Sequence, residues 1–140
     1  MLYQLSEIER MFDADRPLFV RFSQGYAADI VGGSADPETG LSLPGLAARP
    51  LDPEEWWSLP AAEWIARQLA RFHRDEAHFA WLLRGTVVAR TADGEPLIGD
   101  VEVVGRLADG LLDQAARVWR ERFDAAVGAS EAELVSVAHA

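Results

Sequence analysis

Arg21 stands inside an apolar run, Leu18-Phe19-Val20-Arg21-Phe22. A guanidinium held there can clamp a phosphate or carboxylate through paired N–H donors. The plainer reading is an arginine on the solvated face of an edge strand. Asp93, Glu95, Asp100 and Glu102 flank a turn. They read as a solvated rim, since a hard cation needs oxygens converging from several directions. His73 and His78 lie five positions apart, about 140° around an ideal helix, so they miss the one-face spacing of a zinc helix and read as a polar helix end. Gly40-Leu41-Ser42-Leu43-Pro44 approaches the nucleophile-elbow pattern, but Pro44 takes the place of its second glycine. Trp56, Trp57 and Trp64 crowd the junction between a proline-punctuated loop and an amphipathic stretch. Tryptophan buries a large area and still needs a partner for its N–H, so the cluster is the hinge of a core or the wall of a binding site. Trp81, in a later apolar run, is a second candidate wall.

The composition removes several chemistries. All 13 basic residues are arginine and there is no cysteine. Without lysine neither a phosphate-loop ammonium nor a Schiff base can form, and without cysteine there is no thiolate nucleophile, disulfide or thiolate metal site. No metal and no cofactor is expected. The net charge of −10 opposes a phosphate backbone, and the arginines are scattered, so nucleic acid is not an expected partner. A protein or a small molecule is, and the oligomeric state is left open, a homodimer among the options. No window approaches the roughly eighteen apolar residues of a membrane span. The opening MLYQLSEIERMF has no basic region and no apolar core of a signal peptide, and the expected location is cytoplasmic. At 140 residues, 49% apolar and 26% charged, the chain reads as a single domain over 1–140 with a weakly ordered tail at 129–140.

The elements that must position these residues follow from periodicity. Ser6 and Glu9 have capping-box spacing, which predicts a first helix near 6–13. Residues 18–22 predict a strand with Leu18, Val20 and Phe22 on one face and Phe19 and Arg21 on the other. Residues 24–49 read as a long loop with a short strand at 41–43, and a loop of this length is functional or mobile. Asp52-Pro53-Glu54-Glu55 has the signature of a helix start. Pro60 opens a longer helix to about His73, with Ala61, Ile65, Leu69 and Phe72 as its stripe and Trp64 and Gln68 beside it. A strand follows at 79–83, which 86–90 continues or pairs with, and further strand lies at 96–98 and 101–104, with Asp93-Gly94 as the hairpin turn. Asp109 caps a last helix near 109–126, with Leu112, Ala115, Trp119 and Phe123 inside and Gly128 as its stop. The expected fold is α+β: a small antiparallel sheet of about four to five strands with three helices packed on it.

Several segments, LFVRFSQ (18–24), LPGLAARPL (43–51), PEEWW (53–57), WIARQL (64–69), WLLRGTVVAR (81–90) and DGEPL (93–97), resemble an uncharacterised family of small actinobacterial proteins. That resemblance covers most of residues 18–123 and implies relatives without an assigned activity. The familiar pattern reads G-L-S-V-N-P-L where this chain has Ala47 for the serine and Arg49 for the asparagine. A looser resemblance is to the arginine–serine–glutamate layout of ADP-ribosyltransferases. It implies Arg21 on the NAD phosphates or ribose, Ser42 or Ser23 on the nicotinamide side, and Glu95 on the ribose hydroxyl. The expected function is a non-catalytic protein- or ligand-binding module using Arg21, Trp56, Trp57, Trp81 and Glu95. The alternatives are an ADP-ribosyltransferase-like, NAD-using enzyme built on Arg21, Ser42 and Glu95, and a toxin-neutralising or adaptor protein.

Overall fold

The structure, a computed structural model, describes residues 1–72 and 76–124. In chain order the elements are α1 (Leu5–Glu9), β1 (Leu18–Ser23), α2 (Tyr26–Gly32), β2 (Leu46–Ala47), β3 (Arg49–Pro50), α3 (Ala61–Leu69), β4 (Phe79–Arg90), β5 (Pro96–Arg106) and α4 (Asp109–Trp119), followed by a π-type turn, Arg120–Asp124. The strands form one antiparallel sheet in the order β2-β5-β4-β1-β3. The architecture is α+β.

The alternation of β1 divides the core in two. Leu18 and Val20, with Ala80 and Leu82 of β4, face Ile8, Ile65, Leu69 and Leu111 from α1, α3 and α4. Phe19, with Trp81 and Leu83, faces the opposite way and packs with Leu46, Ala48 and Ile98. Both sets are buried, so residues 18–20 of β1 and 79–83 of β4 are continuous apolar runs.

The outer strands explain why the second core closes. β2 pairs with β5 through Leu46↔Ile98 and Ala47↔Leu97, and β3 pairs with β1 through Phe19↔Pro50 and Val20↔Arg49. These strands are separated by Ala48 alone, yet they lie on opposite edges of the sheet. One short strap therefore bonds to both edges, which requires the sheet to curl until its edges meet, the condition for barrel closure. Gly45 permits the approach: a Cβ there would lie 2.7 Å from the backbone oxygen of Ile98. The hairpin of β4 and β5 also bends. Arg84 pairs with Glu102 and Thr86 with Gly99, so Gly85 faces both Asp100 and Val101. That extra residue is a β-bulge, and Asp100 takes a positive φ of 50°.

Several sequence expectations need correction. The first helix begins before Ser6, and it is the Glu7 carboxylate that accepts the N–H groups of Tyr3 and Gln4, both at 3.1 Å. The presumed loop at 24–49 contains a helix, α2, and its strand lies at β2 rather than 41–43, where Ser42 makes only an isolated bridge to Ala35. Residues 52–58 are not helical. Asp52 Oδ1 instead accepts the N–H of Leu18 at 3.2 Å, so its carboxylate serves the start of β1. Residues 86–90 continue the strand at 79–83 rather than pair with it, and the segments at 96–98 and 101–104 are also one strand. The last helix starts after Ala108, with Asp109 in its first turn rather than as its cap. His73, the Gly128 stop and the 129–140 tail lie outside the described residues.

Candidate functional site

Arg21 is neither a solvated edge residue nor an open clamp. Its Nε donates to Asp29 Oδ2 at 2.7 Å, its Nη2 to Asp29 Oδ1 at 3.3 Å and its Nη1 to the Ala47 carbonyl at 2.7 Å. Asp29 projects from α2 and is only 8% exposed. The Ser23 hydroxyl donates to Asp29 Oδ2 at 2.7 Å and accepts from Trp81 Nε1 at 2.9 Å and from the Gly25 N–H at 3.1 Å. Arg21 thus ties β1, α2 and the strap together through a bidentate buried pair. Trp81, 2% exposed, is the floor of this network and has no face to offer a ligand. Tyr26 meets it edge-on at 5.9 Å.

A second cluster lies where α3 meets the preceding loop. Trp57 and Trp64 pack edge-to-face at 5.1 Å, and Trp56 meets them at 6.1 and 5.7 Å. Trp57 Nε1 donates to the Pro60 carbonyl at 3.2 Å, and Phe123 closes the far side, 6.2 Å from Trp57. Trp64 is 5% exposed, whereas Trp56 is 67% exposed. Trp64 Nε1 is buried with no acceptor among the described residues.

Glu63, Arg67 and Arg71 fall four residues apart along α3 and its end, which places them on one stripe. Glu63 does not serve Arg67: it pairs with Arg122 Nε at 2.8 Å. The Arg67 guanidinium instead stacks over Trp57 and Trp64, 6.0 and 5.6 Å from their centroids. Burial, with Arg49 and Arg67 close by, pushes the Arg71 guanidinium below its usual value. Arg49 comes from β3. Among the described residues, Arg49, Arg67 and Arg71 form no ion pair with a carboxylate. Sequence reasoning missed this group. The four-residue spacing of Arg67 and Arg71 was the available signal, and nothing local could bring Arg49 to it.

Arg21, Arg49 and Glu95 border a common cavity of about 260 Å³, below the roughly 300 Å³ at which small-molecule pockets begin. Ser42 is exposed and is not in its lining. A cavity of about 470 Å³ is bordered by Phe22, Glu76, His78, Phe79, Arg106 and Asp109. There the Arg106 guanidinium lies 4.1 Å over the Phe79 ring, and His78 stacks on Phe22 at 5.9 Å. No group of acids and histidines that could hold a metal occurs among the described residues, and no helix among them is long and apolar enough to cross a membrane.

The model of a family of unknown function (DUF6098) matches residues 1–130. The chain belongs to that family. No curated protein and no solved structure matches it. Membership in DUF6098 carries no activity with it, so the chemistry of this member rests on its own side chains: a closed Arg21–Asp29 clasp and an open arginine–tryptophan face.

Proposed function

We propose that the chain is a non-catalytic binding module that takes an anionic group, carboxylate or phosphate, on the face formed by Arg49, Arg67, Arg71, Trp56 and Trp57. The observation behind this reading is the gathering of Arg49, Arg67 and Arg71 without a carboxylate partner among the described residues, in a chain of net charge −10. Like charges brought together oppose folding. An incoming anion reverses the sign of that interaction through charge-assisted hydrogen bonds. Exposed Trp56 adds apolar area beside the charge, and tryptophan and arginine are the side chains that dominate binding energies.

An NAD-using enzyme built on Arg21 and Glu95 has less support. Arg21 would have to exchange Asp29 for a phosphate, and Ser42 does not join it. A toxin-neutralising or adaptor role is the same binding reading with a protein as the ligand. A cysteine-free chain suits a reducing cytoplasm.

Thermal melts of wild type and Arg71→Gln test the reading, with inorganic phosphate, pyrophosphate, NAD and a short glutamate peptide as probes. At least one anion should stabilise the wild type, by about 2.7 kcal/mol at a hundredfold excess over Kd. Without anion, Arg71→Gln should melt at or above the wild-type temperature, because it relieves repulsion, and it should lose the response to anions. An Arg71→Gln protein that is less stable alone and keeps the anion response would refute the proposal.

A further inference from the structure

β5 is paired along its whole length on one side only. Its inner side bonds to β4 over its length. On the outer side it meets β2 at Leu97 and Ile98, and the Arg106 carbonyl accepts the Leu2 N–H at 2.8 Å. Between these points, over residues 99–105, no backbone partner lies on the outer side among the described residues. In an antiparallel pair alternate residues turn their N–H and C=O groups outward, so this stretch offers an open ladder.

The ladder borders an apolar groove. A cavity of about 260 Å³ separates β5 from α2 and the following loop, with Tyr26, Ile30, Pro44, Leu46, Ile98 and Val101 in its walls. Around it the surface is unusually apolar: Ile30 is 64% exposed, Val31 88%, Leu41 68% and Val103 46%. Exposed apolar side chains beside an apolar groove are the kind of surface that marks an interaction site.

Charge selects the occupant. From Tyr26 to Leu46, and again from Pro96 to Gly105, every charged residue is an acid: Asp29, Asp36, Glu38, Asp100 and Glu102. Asp29 is held by Arg21, and Glu102 pairs with Arg16. Asp100 and Glu38 form no ion pair among the described residues. The Thr39 hydroxyl and N–H hold the Asp36 carboxyl below its usual range, so it stays ionised. A second copy of this chain would set acids against acids across the ladder, and like charges facing each other between strands oppose pairing.

We propose that the open edge of β5 is a strand-addition site for an extended segment of a basic protein partner, with apolar side chains at alternate positions entering the groove and arginines or lysines between them. Main-chain bonds to residues 99–105 supply affinity, and the groove and its acids supply selection. The site is separate from the arginine–tryptophan face and stands or falls independently of it.

The test uses a short capped peptide alternating valine and lysine, the same peptide with glutamate for lysine, and the lysine peptide N-methylated at alternate positions. Binding is measured by titration and mapped by amide hydrogen exchange. The lysine peptide should bind at least about tenfold more tightly than the glutamate peptide, with amides protected within 99–105. N-methylation on the pairing edge should abolish binding. Val101→Lys, which puts a cation at the groove, should weaken it while leaving the circular dichroism spectrum unchanged. Equal binding of both peptides, retention by the N-methylated form, or protection elsewhere would overturn the proposal. Protection of 99–105 in a homodimer without peptide would also overturn it, by giving the edge to a second copy.

Discussion

Replacing Arg21 with alanine should unfold the clasp between β1, α2 and the strap. The change removes the bidentate partner of a carboxylate that is 8% exposed and the donor to the Ala47 carbonyl. Breaking a buried pair costs about 3–5 kcal/mol, because the surviving charge is left without its partner. The Arg21 side chain is itself 15% exposed, so water reaches part of the gap and the lower end, about 3 kcal/mol, is the expected loss. In a domain of this size that is a fall in Tm of roughly 10 °C. Asp29→Ala should cost less, since a freed guanidinium can turn toward water. Arg21→Met combined with Asp29→Leu should recover most of the loss, because neither charge is then stranded. Urea melts of Arg21→Met, Asp29→Leu and the pair, followed by tryptophan fluorescence, close the double-mutant cycle. The reasoning fails if Arg21→Ala loses less than about 0.5 kcal/mol, the range of ordinary surface changes, or if the single losses simply add in the double variant.

The tryptophans should separate by burial: Trp64→Ala, at a position 5% exposed, should lose about 3–5 kcal/mol in urea melts, while Trp56→Ala, at 67% exposure, should stay within about 0.5 kcal/mol. Asp52 should give a pH signature. Burial raises its carboxyl above the usual aspartate value, against the opposing Leu18 N–H bond and Arg84 charge. Its folded form therefore prefers the proton, and the associated stability is full below the unfolded pKa and lost as pH rises through the folded one. Asp52→Asn keeps an oxygen for Leu18, so it should gain on the wild type near neutral pH, and that advantage should vanish in melts near pH 3; a constant difference across the range would contradict the assignment.

The local patterns of this chain carry the sheet and the helical faces. Alternation at Leu18, Val20 and Phe22 against Phe19 and Arg21 separates the two cores because successive residues of a strand point to opposite sides. The spacing of Ile65 and Leu69 settles the inner face of α3, and Asp93-Gly94 marks the hairpin, where Gly94 takes a φ of 86°. Alternation also put Arg21 on the same face as Phe19, but not in contact with Asp29. That partner comes from a helix, α2, hidden in a glycine-rich stretch that reads as loop. The short strands β2 and β3 were illegible for a related reason: Leu46–Ala47 and Arg49–Pro50 carry no period of their own and are strands only because opposite edges of a curled sheet reach them. Asp52 had a helix-start signature, and its carboxylate was captured instead by the backbone of β1. The arginine–tryptophan face combines a helix stripe with a residue from the strap. Sequence alone therefore determined the fold class, the core faces and the chemistries that missing lysine and cysteine forbid, because these depend on composition and neighbours along the chain. Which charges meet, Arg21 with Asp29 and Arg49 with Arg67 and Arg71, and which edge of β5 stays open were decided by closure of the sheet, which brings together groups that no local spacing relates.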